Sequence, residues 1–104
     1  MDVIIQSLGF KAGADLEAFV REKLEKFDKE LNIIRANVTL YTGSQSNPNR
    51  SYCEIQLEVP GNDLFVKRNS DSFEKAIGDT IRTLKLNVLK AKEKQLHRDH
   101  GNFR

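Results

Sequence analysis

Two periods of apolar residues run through the chain. From Asp71 to Arg98 the period is helical: Phe73, Ile77, Ile81, Leu84, Val88 and Ala91 recur at steps of three and four, with Ala76 and Thr80 beside them. Asp71, with Glu74 three residues on, has the form of a capping box at the start of this helix. A second helical stripe is made by Leu16, Phe19, Val20, Leu24, Phe27 and Leu31 and predicts a helix from about Ala14 to Lys29. Its N-cap is Gly13 or Asp15, and Asp15 and Glu17 fall in the first turn, where the helix dipole favours negative charge. Elsewhere the period is two. Over Ile33 to Gly43, Ile34, Ala36, Val38 and Leu40 face one way and Arg35, Asn37, Thr39 and Tyr41 the other. Over Tyr52 to Val59, Cys53, Ile55, Leu57 and Val59 face in, and Tyr52, Glu54, Gln56 and Glu58 face out. Leu64 to Arg68 is a third alternating strand, after a turn at Pro60-Gly61. Near the start, Val3, Ile4 and Ile5 are apolar on both faces, which predicts a short central strand broken by Gly9 to Gly13.

The element order is therefore β-α-β-β-β-α. A strand–helix–strand unit closes right-handed with parallel strands, and the later strands form an antiparallel meander. The expected fold is α+β: a four-stranded mixed sheet with two helices packed on one face, the other face wet, and a groove between the helices. The last helix is long. Its 28 residues from Asp71 to Arg98 span about 42 Å, against about 25 Å for a strand of this sheet, so its second half projects.

Composition narrows the class. The 104 residues suffice for one core. Residues 1–98 are expected to form one domain and 99–104 a short flexible tail. With 38% hydrophobic and 31% charged residues the chain is an ordinary globular domain, and no apolar run approaches a membrane span. Strand character begins within two residues of Met1, leaving no room for a signal peptide, and a lone cysteine fits a reducing, cytoplasmic setting.

Charge changes the picture more. The net charge is only +2, but residues 82–104 carry seven Lys or Arg against two acidic groups, while the rest of the chain is net negative. An acidic body with a basic end suits a polyanion approached from one side. Arg82, Lys85, Lys90, Lys92 and Lys94 lie on the projecting half-helix. Lys23 falls between Phe19 and Phe27, inside the apolar arc of the first helix. Its stem covers apolar surface, or its amine is a cation held in a cleft between the helices. Lys26 lies further round on the same side.

Chemistry for catalysis is thin. Cys53 alternates in phase with core residues and reads as a small hydrophobe. His97 and His100 sit in the C-terminal stretch with only Asp99 near them. No phosphate loop or nucleophile–base arrangement is present, and the carboxylates fall on exposed faces. The pattern is that of a binding protein without cofactor, metal or small-molecule substrate. Among polyanions, structured RNA read by shape and phosphate position fits best. Tyr41 and Tyr52 imitate an aromatic RNA platform weakly, and Glu54 and Glu58 beside them repel phosphate.

Three segments carry a family resemblance: Leu16–Phe27 (LEAFVREKLEKF), Ser72–Asp79 (SFEKAIGD) and Lys90–Lys94 (KAKEK). In this order and spacing the chain resembles the ribosome hibernation promoting factors, also called ribosome-associated inhibitors. The resemblance implies the same β-α-β-β-β-α fold. It also implies a stationary-phase or stress factor that binds the small ribosomal subunit in the mRNA and tRNA channel and inhibits translation. On this analogy Lys23, Lys26, Lys90, Lys92 and Lys94 contact rRNA phosphates, and Arg82 and Lys85 join them on grounds of charge and position. The chain departs from the family in reading Leu86-Asn87-Val88 where Arg-Gln-Leu is usual, and in placing Phe73 one position before the usual tyrosine. Leu86, Leu89 and Leu96 form a second apolar stripe, which either covers the flank of the first helix, the favoured reading, or meets another protein or a self-copy. The chain resembles a short form, so pairing of ribosomes would require a second factor or another surface. A general structured or double-stranded RNA-binding domain without ribosome specificity is the alternative, since the element order after the first strand resembles that fold.

Overall fold

The computed structural model describes residues 1–27 and 32–101, with side chains described as far as Ala91 and at Glu93. The elements are β1 (Asp2–Leu8), α1 (Ala14–Glu25), β2 (Arg35–Thr42), β3 (Ser51–Glu58), β4 (Leu64–Ser70) and α2 (Phe73–Gly101). β1 pairs parallel with β2, and β2, β3 and β4 pair antiparallel in sequence order, so the sheet runs β1-β2-β3-β4. This is the α+β arrangement the sequence implies.

Alternation does the sorting. Along β2 and β3, Ala36, Val38, Leu40, Cys53, Ile55 and Leu57 are buried, and their neighbours are half-exposed on the other face. Val20, Leu24 and Phe27 from α1 and Ala76, Ile77, Ile81, Leu84 and Val88 from α2 close over that single apolar face. Both helices therefore share one side of the sheet. Thr80, like Ser51, is a buried polar exception among the described residues. Its hydroxyl donates to the Ala76 carbonyl at 2.7 Å, which satisfies it within its own helix. Phe10 stacks on Phe73 at 4.8 Å between ring centroids and ties the β1–α1 connection to the start of α2.

Several expectations are corrected. β1 is an edge strand, not a central one: Val3 and Ile5 are half-buried, but Ile4 is 49% exposed because its face is the open side of the sheet. Ile34 is also exposed, although it has the parity of Ala36. It lies one residue before β2, with its amide on the Glu58 carbonyl, and Ile33 packs on the core instead. The helix α1 ends at Glu25 rather than Lys29, and Leu31 lies outside the described residues. Its N-cap is Gly13, whose carbonyl accepts from the Glu17 amide at 3.1 Å with no side-chain cap. The cap of α2 is Ser72 and not Asp71. Ser72 Oγ accepts from the Lys75 amide at 3.2 Å, while Asp71 forms an ion pair with Lys75. β4 continues to Ser70, two residues past Arg68, and α2 runs three residues past Arg98.

At 29 residues α2 is about 44 Å long. Val88 is its last buried side chain among the described residues, so the stretch from Leu89 onward leaves the sheet behind. No described helix is long and apolar enough to cross a membrane.

Candidate nucleic-acid interface

The helical side of the domain holds the basic groups the sequence singled out. α1 and α2 lie next to each other, and where α1 ends a groove of about 270 Å³ opens between them, lined by Lys26, Phe27, Lys85, Val88 and Leu89. Phe27 and Val88 are buried at its base, and Lys26 and Lys85 are exposed. Two of the predicted cations, 59 residues apart in the chain, thus meet at one feature. They do so because Phe27, next to Lys26, and Val88, one turn on from Lys85, are drawn into the shared core.

The other candidates are placed less tightly. Lys23 is half-buried, with Nζ 5.4 Å from the centroid of the Phe19 ring. It lies on its own helix over an aromatic face and does not line the groove. Lys90 is exposed on the outgoing turn of α2. Lys92 and Lys94 lie on the helical backbone of α2, with side chains outside the described residues, as are those of His97 and His100. The Arg82 guanidinium pairs with Asp79 three residues back at 3.2 Å. The pair is exposed, so little holds it against a competing anion.

Among the described residues the second leucine stripe reaches the end of α1 only at Leu89, and there it borders the groove without being packed under α1. Leu86 and Leu89 are 57% and 54% exposed. Leu89 forms one wall of the groove, whereas Leu86 does not line it. Leu96 lies outside the residues whose side chains are described.

The open sheet face has a different character. Tyr41 and Tyr52, paired across β2 and β3, stack with centroids 5.1 Å apart and planes within 5°. Tyr41 donates its hydroxyl hydrogen bond to Glu54, and Lys67 lies 5.5 Å from the Tyr52 ring. Partial burial, then the Glu54 carboxylate, push the Tyr41 phenol above its ordinary pKa. Asn37 donates to Glu58 at 2.6 Å, and Arg35 pairs with Glu58 at 3.5 Å. The rings are occupied with each other and with Lys67, and carboxylates stand among them. Neither tyrosine is the unencumbered platform that base stacking uses. The sequence missed Lys67, which cross-strand register with Glu54 brings onto this face.

Cys53 is wholly buried, and burial pushes its thiol up to about 11. A thiolate is disfavoured there. Among the described residues no three His, Cys, Asp or Glu side chains converge as a metal site would require.

Comparison with known proteins bears on what this surface belongs to. No curated protein matches the chain significantly. Among solved structures, a ribosomal subunit interface protein from Coxiella burnetii superposes with a TM-score of 0.80 at 16% identity, covering 89% of this chain and 99% of that one. The N-terminal domain of Protein Y from Thermus thermophilus superposes with a TM-score of 0.72 at 20% identity, covering 85% of this chain and 96% of that domain. At these identities the two likenesses show a shared fold. The family model of the sigma 54 modulation protein / S30EA ribosomal protein matches residues 3–96, nearly the whole domain from β1 into the basic half of α2. The chain belongs to the sigma 54 modulation protein / S30EA ribosomal protein family, in keeping with the hibernation-factor resemblance of its helices.

Proposed function

We propose that this protein binds the small ribosomal subunit with its helical side, occupies the channel where mRNA and tRNA sit, and so inhibits translation in idle or stressed cells. The observation that carries the reading is the convergence of Lys26 and Lys85 on one groove, with Lys90 exposed a turn further on and Lys92 and Lys94 following in the sequence. A rigid helix bearing cations at its free end can enter a crevice in folded RNA that a flat basic patch cannot. The family match and the fold shared with the Coxiella ribosomal subunit interface protein support the ribosome as the partner. In this reading residues 1–98 are the ribosome-binding domain and 99–104 a tail, in a cytoplasmic protein that acts by binding rather than catalysis. Lys23, Lys26, Lys85, Lys90, Lys92 and Lys94 meet rRNA phosphates. Arg82 joins them only by releasing Asp79.

The test is co-sedimentation with purified ribosomes and separated subunits over a range of salt. If these six lysines meet phosphates, log K falls with log salt at a slope of about −4.2 to −5.4, according to whether the RNA behaves as single or double strand. Charge reversal at Lys90 and Lys92 weakens binding without unfolding and restores translation in a cell-free assay. Absence of binding at low salt overturns the proposal. Equal affinity for a plain RNA duplex replaces it with a general double-stranded RNA-binding module.

A further inference from the structure

The groove between the helices has two chemistries. Its base and one wall are apolar, from Phe27, Val88 and Leu89, while Lys26 and Lys85 put two cations at its edges. Phosphate recognition alone needs the lysines and gains nothing from an apolar floor. Leu89 is 54% exposed, so more than half its surface is left in water beside those cations. A peptide helix, about 10–12 Å across, is too large for a groove of about 270 Å³. That volume falls just below the roughly 300–1,000 Å³ of pockets that hold drug-sized ligands, which suits one group of that order. The occupant must combine a compact apolar face with anionic groups on either side of it.

We infer that the groove takes a single unstacked nucleotide of the bound RNA, its base against Leu89 and Val88 and its flanking phosphates on Lys26 and Lys85. This rests on the RNA-binding reading above and adds to it a site for one base. Base faces splayed out of loops and bulges are a principal means by which proteins recognise RNA at defined positions, and paired A-form RNA does not offer them. Leu89 is then a positioning contact: the lysines hold the backbone, and the apolar wall selects a place where a base is free.

The test compares wild type, Leu89→Ser, Leu86→Ser and the double variant Lys26→Ala/Lys85→Ala for affinity to purified small subunits at several salt concentrations, with base-reactivity probing of the bound RNA. Leu86 is equally exposed but outside the groove, so it controls for general stickiness of the leucine stripe. The expected result is about a fivefold loss for Leu89→Ser with the salt slope unchanged, the bottom of the range for aromatic base-stacking side chains, since leucine offers an apolar contact without a ring face. Leu86→Ser stays within about twofold of wild type. The lysine double variant lowers the slope by about 1.4 to 1.8, the release of two phosphate contacts. One nucleotide is protected by wild type and not by Leu89→Ser. The inference is overturned if Leu89→Ser binds as wild type does. It is also overturned if Leu86→Ser loses as much, or if the loss comes with no change in base reactivity, which would point to a protein contact. Wild type failing to bind at all removes the functional reading first and this one with it.

Discussion

A methyl group added at Gly43 tests how tightly the open sheet face is built. An ideal Cβ there falls 2.6 Å from Cε1 of Tyr52 and 3.4 Å from its Cδ1. Gly43 does not need a left-handed backbone, and its amide donates to the Arg50 carbonyl at 2.7 Å, so the penalty of Gly43→Ala is steric alone. The ring that must give way is stacked on Tyr41 and has Lys67 beside it. Displacing it forfeits about 0.5–1.5 kcal/mol of stacking and adds about 1–3 kcal/mol of overpacking. Against this, replacing glycine by alanine stabilises by about 0.4–1 kcal/mol through the unfolded chain. The net expectation is a loss of about 0.5–4 kcal/mol. In a Tyr52→Ala background the obstacle is gone, and the same substitution should stabilise by about 0.4–1 kcal/mol. Urea denaturation of the four proteins closes a double-mutant cycle in which Gly43→Ala changes sign. An equal effect in both backgrounds, within about 0.5 kcal/mol, refutes the contact. Co-sedimentation adds a functional reading. Gly43→Ala, on the face away from the lysines of α1 and α2, leaves ribosome affinity unchanged if the helical side is the interface.

Three further expectations follow from the core and the termini of α2. Leu84→Ala removes a wholly buried side chain beneath the basic half-helix and should cost about 2.7–5 kcal/mol in a denaturant titration; less than about 1 kcal/mol would show that the two helices are not packed as described. The Lys75 ammonium, by hydrogen bond and then by charge, holds the Asp71 carboxyl below its ordinary 3.8. Because the folded value is depressed, the pair's contribution is present above the unfolded value and is lost as pH falls through the folded one. An NMR titration of Asp71 should show the depressed midpoint, and Lys75→Ala should raise it. Cys53, with its thiol at about 11 and no exposure, should resist alkylation at neutral pH until denaturant is added. Rapid labelling of the native protein would contradict its place in the core.

The local periods along the chain were enough to name every element in order. Alternation over Ala36 to Leu40 and Cys53 to Leu57 and the helical stripe from Ile77 to Val88 are each properties of a single segment, and each shows which side chains must leave water. The basic end of α2 was legible for the same reason, since charge along one helix is a one-dimensional pattern. What depended on a partner segment was not. Val3-Ile4-Ile5 looks like a central strand, but strand order is set by which edges pair, and among the described residues β1 pairs with β2 alone. Ile34 has the inward parity and lies outside the buried part of its strand. Two short-range contacts also escape the periodic pattern: Arg82 pairs with Asp79 one turn back in α2, and Ser72 rather than Asp71 accepts from the Lys75 amide. The groove is the clearest case. Lys26 and Lys85 carry no signal of each other in the sequence, and they meet because burial of Phe27 and Val88 in one core brings the ends of their turns together. Periodicity reports the solvent preference of each side chain, whereas neighbourhood across the fold is decided by how the buried faces close on one another.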